Sequence, residues 1–175
     1  MNGNLAESNR VATELHQLWP DQHFDRFLLI NAVTERNARS LRSIVAEEMQ
    51  SQRMRAVERD AFLALATAFE TKRVADLSKA GDQLALLSLD EATNGIRVIE
   101  ALAVLGRDEE AAVALRQYVA RYPYLLGELY SPVLKNVRQL PAVAQIARQS
   151  GLFAFWKSTG RWPDICRSEN FCRSL

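Results

Sequence analysis

Residues 92–123, ATNGIRVIEALAVLGRDEEAAVALRQYVARYP, read as two helices folded back on each other. Ile96, Ile99, Leu102, Ala103 and Leu105 recur at spacings of three and four, which gives one helix an apolar stripe. Gly106 breaks that pattern. Asp108, Glu109 and Glu110 then fill the first turn of a second helix, where carboxylates meet the positive end of the backbone dipole. Ala111, Ala114, Leu115, Tyr118 and Val119 carry its stripe, and Pro123 stops it. Such a hairpin cannot bury both of its faces alone, so it requires neighbours of the same kind.

Composition fits that demand. With 175 residues the chain is long enough for one domain with a sizeable core. Only 7 Gly and 5 Pro are present, too few for a strand-rich fold with many tight turns. The net charge of +1, from 22 basic and 21 acidic residues, supplies no global field to draw in nucleic acid or an anionic membrane. The longest nearly uninterrupted apolar run, residues 61–69, is about half of the roughly 20 residues that span a bilayer, so no transmembrane helix is expected. The opening MNGNLAESNR lacks a basic segment followed by an apolar one, and no secretory signal is read there. Location stays open: cytoplasmic by absence of a signal, or periplasmic if this is a fragment of a membrane-anchored regulator.

Outward from the hairpin, further helices are expected. Leu5, Val11, Leu15 and Leu18 mark a thin-striped helix ended by Trp19-Pro20. Asp21 caps the next, in which Phe24, Phe27, Leu28, Asn31 and Ala32 share a side, and a third helix from about Asn37 carries Leu41, Ile44 and Val45. Val57, Ala61, Leu65 and Ala68, widened by Phe62 and Phe69, predict a central helix. Val74, Leu77, Leu84 and Leu87 predict another, with a turn or kink at Gly81 and Asp82. Pro132 predicts a helix start, as does Pro141, whose helix is stopped by Gly151. Leu152, Phe153, Phe155 and Trp156 form a short apolar helix before an extended stretch beginning at Trp162-Pro163. This aromatic tail is read as a lid over the last repeat, with its Trp162 expected to be buried against the last helices. The chain is therefore divided into a helical repeat domain over 1–150 and a capping tail of the same domain over 151–175.

Catalytic chemistry is not signalled. G-x-S-x-G, H-E-x-x-H, a phosphate loop and a dinucleotide fingerprint are all absent, so neither an enzyme nor a cofactor is expected. His16 and His23 straddle Pro20 and share no helix face. Cys166 and Cys172 leave three readings: a disulfide closing a short loop, two inert thiols, or a metal site that would lack a third Cys or a neighbouring His. Arg36, Arg39 and Arg42, continued by Arg53, Arg55 and Arg59, form the strongest nucleic-acid signal, but Glu35, Glu47, Glu48, Glu58 and Asp60 interleave with it. A salt-bridged surface is favoured over a phosphate track, and a nucleic-acid partner is the alternative reading.

The central hairpin resembles a degenerate tetratricopeptide repeat. Pro123 matches that motif's closing proline, Ala111 its small residue, Gly106 its turn, and Leu115 a bulky position, while Gly95 and Ile99 depart from it. The tail FAFWKSTGRWPDIC resembles the YW…TG.WPDFC ending found after such repeats in bacterial signalling proteins, notably winged-helix transcriptional regulators and adenylate cyclases. The resemblance implies an all-α, tetratricopeptide-like solenoid of stacked hairpins acting as a non-catalytic sensory or scaffolding module with a protein or peptide partner. In related tails a second cysteine often follows the first, which favours pairing of Cys166 with Cys172. The repeat's register places Gln22, Asp25, Leu29, Glu58, Thr93, Ile96 and Glu100 on the inner wall of a peptide groove. That wall mixes apolar and acidic groups and suits an extended or helical peptide with basic residues.

Overall fold

The structure is a computed structural model that describes residues 5–18, 25–87, 92–169 and 171–172. Among them there is no strand, and the elements are α1 (Leu5–Leu18), α2 (Asp25–Thr34), α3 (Ala38–Gln50), α4 (Ala56–Thr71), α5 (Val74–Ala85), α6 (Ala92–Val104), α7 (Asp108–Arg121), α8 (Pro141–Gln149), α9 (Leu152–Thr159) and α10 (Ile165–Ser168). The chain divides into two compact units, Met1–Ser88 and Leu89–Leu175. The 151–175 tail belongs to the second. Trp19-Pro20, Asp21, His23 and Phe24 lie outside the described residues.

In the first unit each helix packs on its neighbours in the chain, α1 on α2, α2 on α3, α3 on α4 and α4 on α5. This is repeat-like stacking, and it follows from the stripes. Helix α4 shows why: Ala61, Phe62, Leu65, Ala66, Ala68 and Phe69 are all buried, so the helix is apolar wide enough to serve a neighbour on either side. The turn expected at Gly81 does not form. Helix α5 runs through it, with Gly81 on the buried face beside Ala80 and Leu84. A glycine costs only about 1 kcal/mol inside a helix, which the burial of its neighbours outweighs.

The hairpin turns are fixed by backbone. After α2, the Arg36 N–H donates to the Val33 carbonyl at 3.0 Å and the Asn37 N–H to Ala32 at 2.9 Å. After α3, Gln52 donates to Met49 and Arg53 to Glu48; after α6, Gly106 donates to Ala103 and Arg107 to Leu102. Arg36, Gln52 and Gly106 all have positive φ. These are three copies of the Schellman exit, in which a left-handed residue lets two otherwise unpaired carbonyls find donors. The α2–α3 and α6–α7 pairs share more than the turn. Leu29, Ile30, Asn31, Ala32, Leu41, Val45 and Glu48 are buried, and so are their counterparts Ile99, Glu100, Ala101, Leu102, Ala111, Leu115 and Tyr118, displaced by two repeat lengths of roughly 35 residues.

The second unit is less regular. Helices α6 and α7 pair, α8 packs on α7, and α9 packs on α8. Where a helix from Pro132 is expected, three 3-10 segments stand instead: Pro123–Tyr130, Pro132–Leu134 and Val137–Gln139. Prolines at 123, 132 and 141 recur too closely for a long α-helix to fit between them, and the short i to i+3 turn tolerates them better. The lid differs in its detail. Trp156 is 3% exposed and Phe171 is fully buried, whereas Trp162 is 42% exposed and lies against the Phe153 and Trp156 rings from outside. The plug is Trp156 with Phe171. Trp162 stands just before Pro163, outside any helix.

Candidate interaction surface

Of the residues read as a groove wall, Leu29, Glu58, Ile96 and Glu100 are buried within their own units and offer no surface to a ligand. Leu29 and Ile96 belong to the cores. Glu58 caps its own helix: its carboxylate accepts from the Arg55 N–H at 3.2 Å and from the Arg55 guanidinium. Glu100 accepts from the Ser131 hydroxyl at 2.6 Å. Asp25 and Thr93 stand in the first turns of α2 and α6, with side chains outside the description, and Gln22 lies outside the described residues. Leu29, Glu58, Ile96 and Glu100 are therefore packing residues of their own units rather than parts of an open wall. The inner positions it assigns are filled by packing, because the helices bury broader faces than that register assumes.

An open cleft exists one face further round, within the first unit. It measures about 280 Å³ and is lined by Asn9 and Thr13 of α1, Leu28, Ala32 and Glu35 at α2, and Ser40, Ser43 and Ile44 of α3. It forms because α1 and α3 both lie against α2, leaving α2 as a floor between two walls. Leu28 and Ala32 make that floor apolar, and Ile44 makes the α3 wall apolar beside it. Asn9 and Asn31 secure the α1 wall: the Asn31 amide donates to Ser8 Oγ at 3.0 Å and to Asn9 Oδ1 at 2.9 Å, and Asn9 Nδ2 donates to Glu35 Oε1 at 3.2 Å. Asn31 is almost fully buried, so these bonds satisfy an amide that would be costly to leave unpaired. A signal for this existed in the sequence, since Asn31 is the one amide in the apolar stripe of α2. Glu35, Ser40 and Ser43 carried none.

Part of the arginine-rich surface is ion-paired. Arg42 pairs with Glu70 at 2.9 Å and also donates to Thr67, Arg55 pairs with Glu58, and Arg59 pairs with Asp60 at 2.7 Å. The hydrogen bond from Arg42 holds the Glu70 carboxyl below its ordinary range. Elsewhere, Arg10 lowers Glu7, and Thr71 followed by Arg73 lowers Asp76. Among the described residues, no group of three or more His, Cys, Asp or Glu side chains is arranged to hold a metal ion, and no helix is long and apolar enough to cross a membrane.

Cys166 and Cys172 are joined as a disulfide. Between them, Glu169 meets Arg138 through two bonds, Nε to Oε2 at 2.8 Å and Nη2 to Oε1 at 2.6 Å, with the two side chains 2% and 6% exposed. Arg138 Nη1 also donates to the carbonyls of Leu129 and Ser131, at 2.7 and 2.6 Å. Tyr130 shares a hydrogen bond with Trp156, and burial raises its phenol above the ordinary value. Comparison of the chain with protein-family models, with curated proteins and with solved structures finds no match.

Proposed function

We propose that this chain is a non-catalytic protein-interaction module that holds a segment of a partner in the α1–α2–α3 cleft, within a bacterial signalling or transcription-regulating protein of the tetratricopeptide-like kind. The cleft carries the reading. Its volume is near the lower end of roughly 300–1,000 Å³ for small-molecule pockets, which suits one or two side chains of a docked peptide better than a cofactor. An apolar floor edged by Glu35, Asn9 and serine hydroxyls fits an amphipathic basic side chain, whose stem packs on Leu28 and Ile44 while its cation meets Glu35. The ion-paired arginines do not favour the nucleic-acid alternative.

The test is selection from a peptide display library, followed by binding to Ser43→Trp, which fills the cleft, and to Glu35→Gln. Loss of binding with unchanged circular dichroism supports the assignment. Peptides that bind Ser43→Trp as well as the parent chain overturn it, and so does nanomolar DNA or RNA binding with a steep salt slope.

A further inference from the structure

We infer that the Cys166–Cys172 disulfide is a thiol–disulfide exchange site that latches the C-terminal segment: opening it releases Glu169 from Arg138 and uncovers the Trp156 and Phe171 rings. The inference concerns the second unit alone and does not depend on the cleft.

Three observations converge on it. The cross-link brackets Glu169 and Phe171, whose side chains are both buried in the unit. Glu169 is the carboxylate partner of a guanidinium that is itself buried, and a buried charge stripped of its partner is strongly unfavourable. Arg138 relays the contact onward, since it holds the Leu129 and Ser131 carbonyls, and Ser131 in turn bonds Glu100 on α6. The tail is thus tied through one arginine to the first helix of its unit. Closing the short loop restricts the positions that Glu169 and Phe171 explore, so both find their partners at a lower entropic cost than in an open chain. Both cysteines are partly exposed, within reach of a small dithiol.

The chemistry balances with a dithiol as reductant. One of its thiolates attacks a cystine sulfur, the S–S bond breaks and a mixed disulfide forms. Its second thiol then displaces the remaining cysteine. The cystine gains two electrons and two protons to give the Cys166 and Cys172 thiols, and the dithiol is oxidised to its own disulfide.

The experiment uses the full chain, oxidised or reduced with dithiothreitol, with thiols counted by alkylation and mass spectrometry and amide hydrogen exchange followed by peptide. Reduction is expected to speed exchange in the tail and in the 3-10 segments by roughly tenfold to fiftyfold, the range given by loop-closure entropy for so short a ring, while the α2–α3 hairpin stays unchanged. Glu169→Gln, left oxidised, should open the same segments, and reducing that variant should add little, because both changes act on one contact. Equal exchange in oxidised and reduced chains overturns the latch, as do two alkylatable thiols before reduction. If reduction opens the tail of Glu169→Gln as much as that of the parent, the route through Arg138 is wrong.

Discussion

Replacing Trp156 by Ala separates the observed plug from the expected one. A fully covered tryptophan removes on the order of 200 Å² from water, which at about 25 cal/mol per Å² is worth about 5 kcal/mol. Residual compactness of the unfolded chain reduces this to about 3–4 kcal/mol, within the range of about 3–5 kcal/mol measured for large aromatic truncations in cores. Trp156, at 3% exposure and in contact with Phe171, should show that full loss. Trp162 keeps 42% of its surface in solvent, so the same reckoning gives roughly 2 kcal/mol for Trp162→Ala. Thermal unfolding followed by far-ultraviolet circular dichroism reads both. At about 4–8 °C per kcal/mol for a unit of this size, Trp156→Ala should lower its midpoint by more than about 12 °C. A larger effect from Trp162→Ala, or a loss below about 1 kcal/mol from Trp156→Ala, would refute the assignment of the plug.

Other outcomes follow from the turns and ion pairs. Gly106→Ala should cost about 1 kcal/mol by urea unfolding; a Cβ there meets nothing within 4 Å, so the penalty is the positive φ alone. Arg36→Gly should have the opposite sign, a gain of roughly 0.5 kcal/mol, because relief of the left-handed strain is only partly offset by a more flexible unfolded chain. Asn31→Ala should cost about 1–3 kcal/mol and hasten proteolytic cutting around α1, whose polar fastening it removes; unchanged cleavage rates would count against that role. Glu70 has a depressed folded-state pKa, so its contribution is present above its ordinary value of 4.5 and is lost as pH falls through the lower folded value. Arg42→Gln should therefore lose less stability between pH 5 and about pH 3 than the parent chain, as read from urea midpoints.

The helices were legible because burial enforces periodicity. The stripes of α6 and α7, the stop after Arg121 and the α8 helix between Pro141 and Gly151 are all written in the spacing of Leu, Ile, Ala, Gly and Pro. The place of the α2–α3 turn, near Arg36 and Asn37, was legible too, but its geometry was not, since Arg36 occupies a left-handed position without being Gly or Asn. Side-chain pattern locates a stripe but not its width, and for that reason Leu29, Glu58, Ile96 and Glu100 looked available while the structure buries them. Polar contacts across long separations were the least legible. Nothing near Arg138 announces Glu169, and the pairing emerges only when the tail folds back. The cleft has the same origin, as it collects residues from three helices.

The Schellman exits carry a practical consequence. Each one angles the following helix through main-chain donors and acceptors, so the identity of the corner residue tunes stability by small steps while leaving the direction of the next rod unaltered. Corners of this sort are natural places to shorten, splice or graft. An engineer could exchange the α2–α3 corner for the glycine-bearing one after α6 and expect the flanking rods to keep their angle.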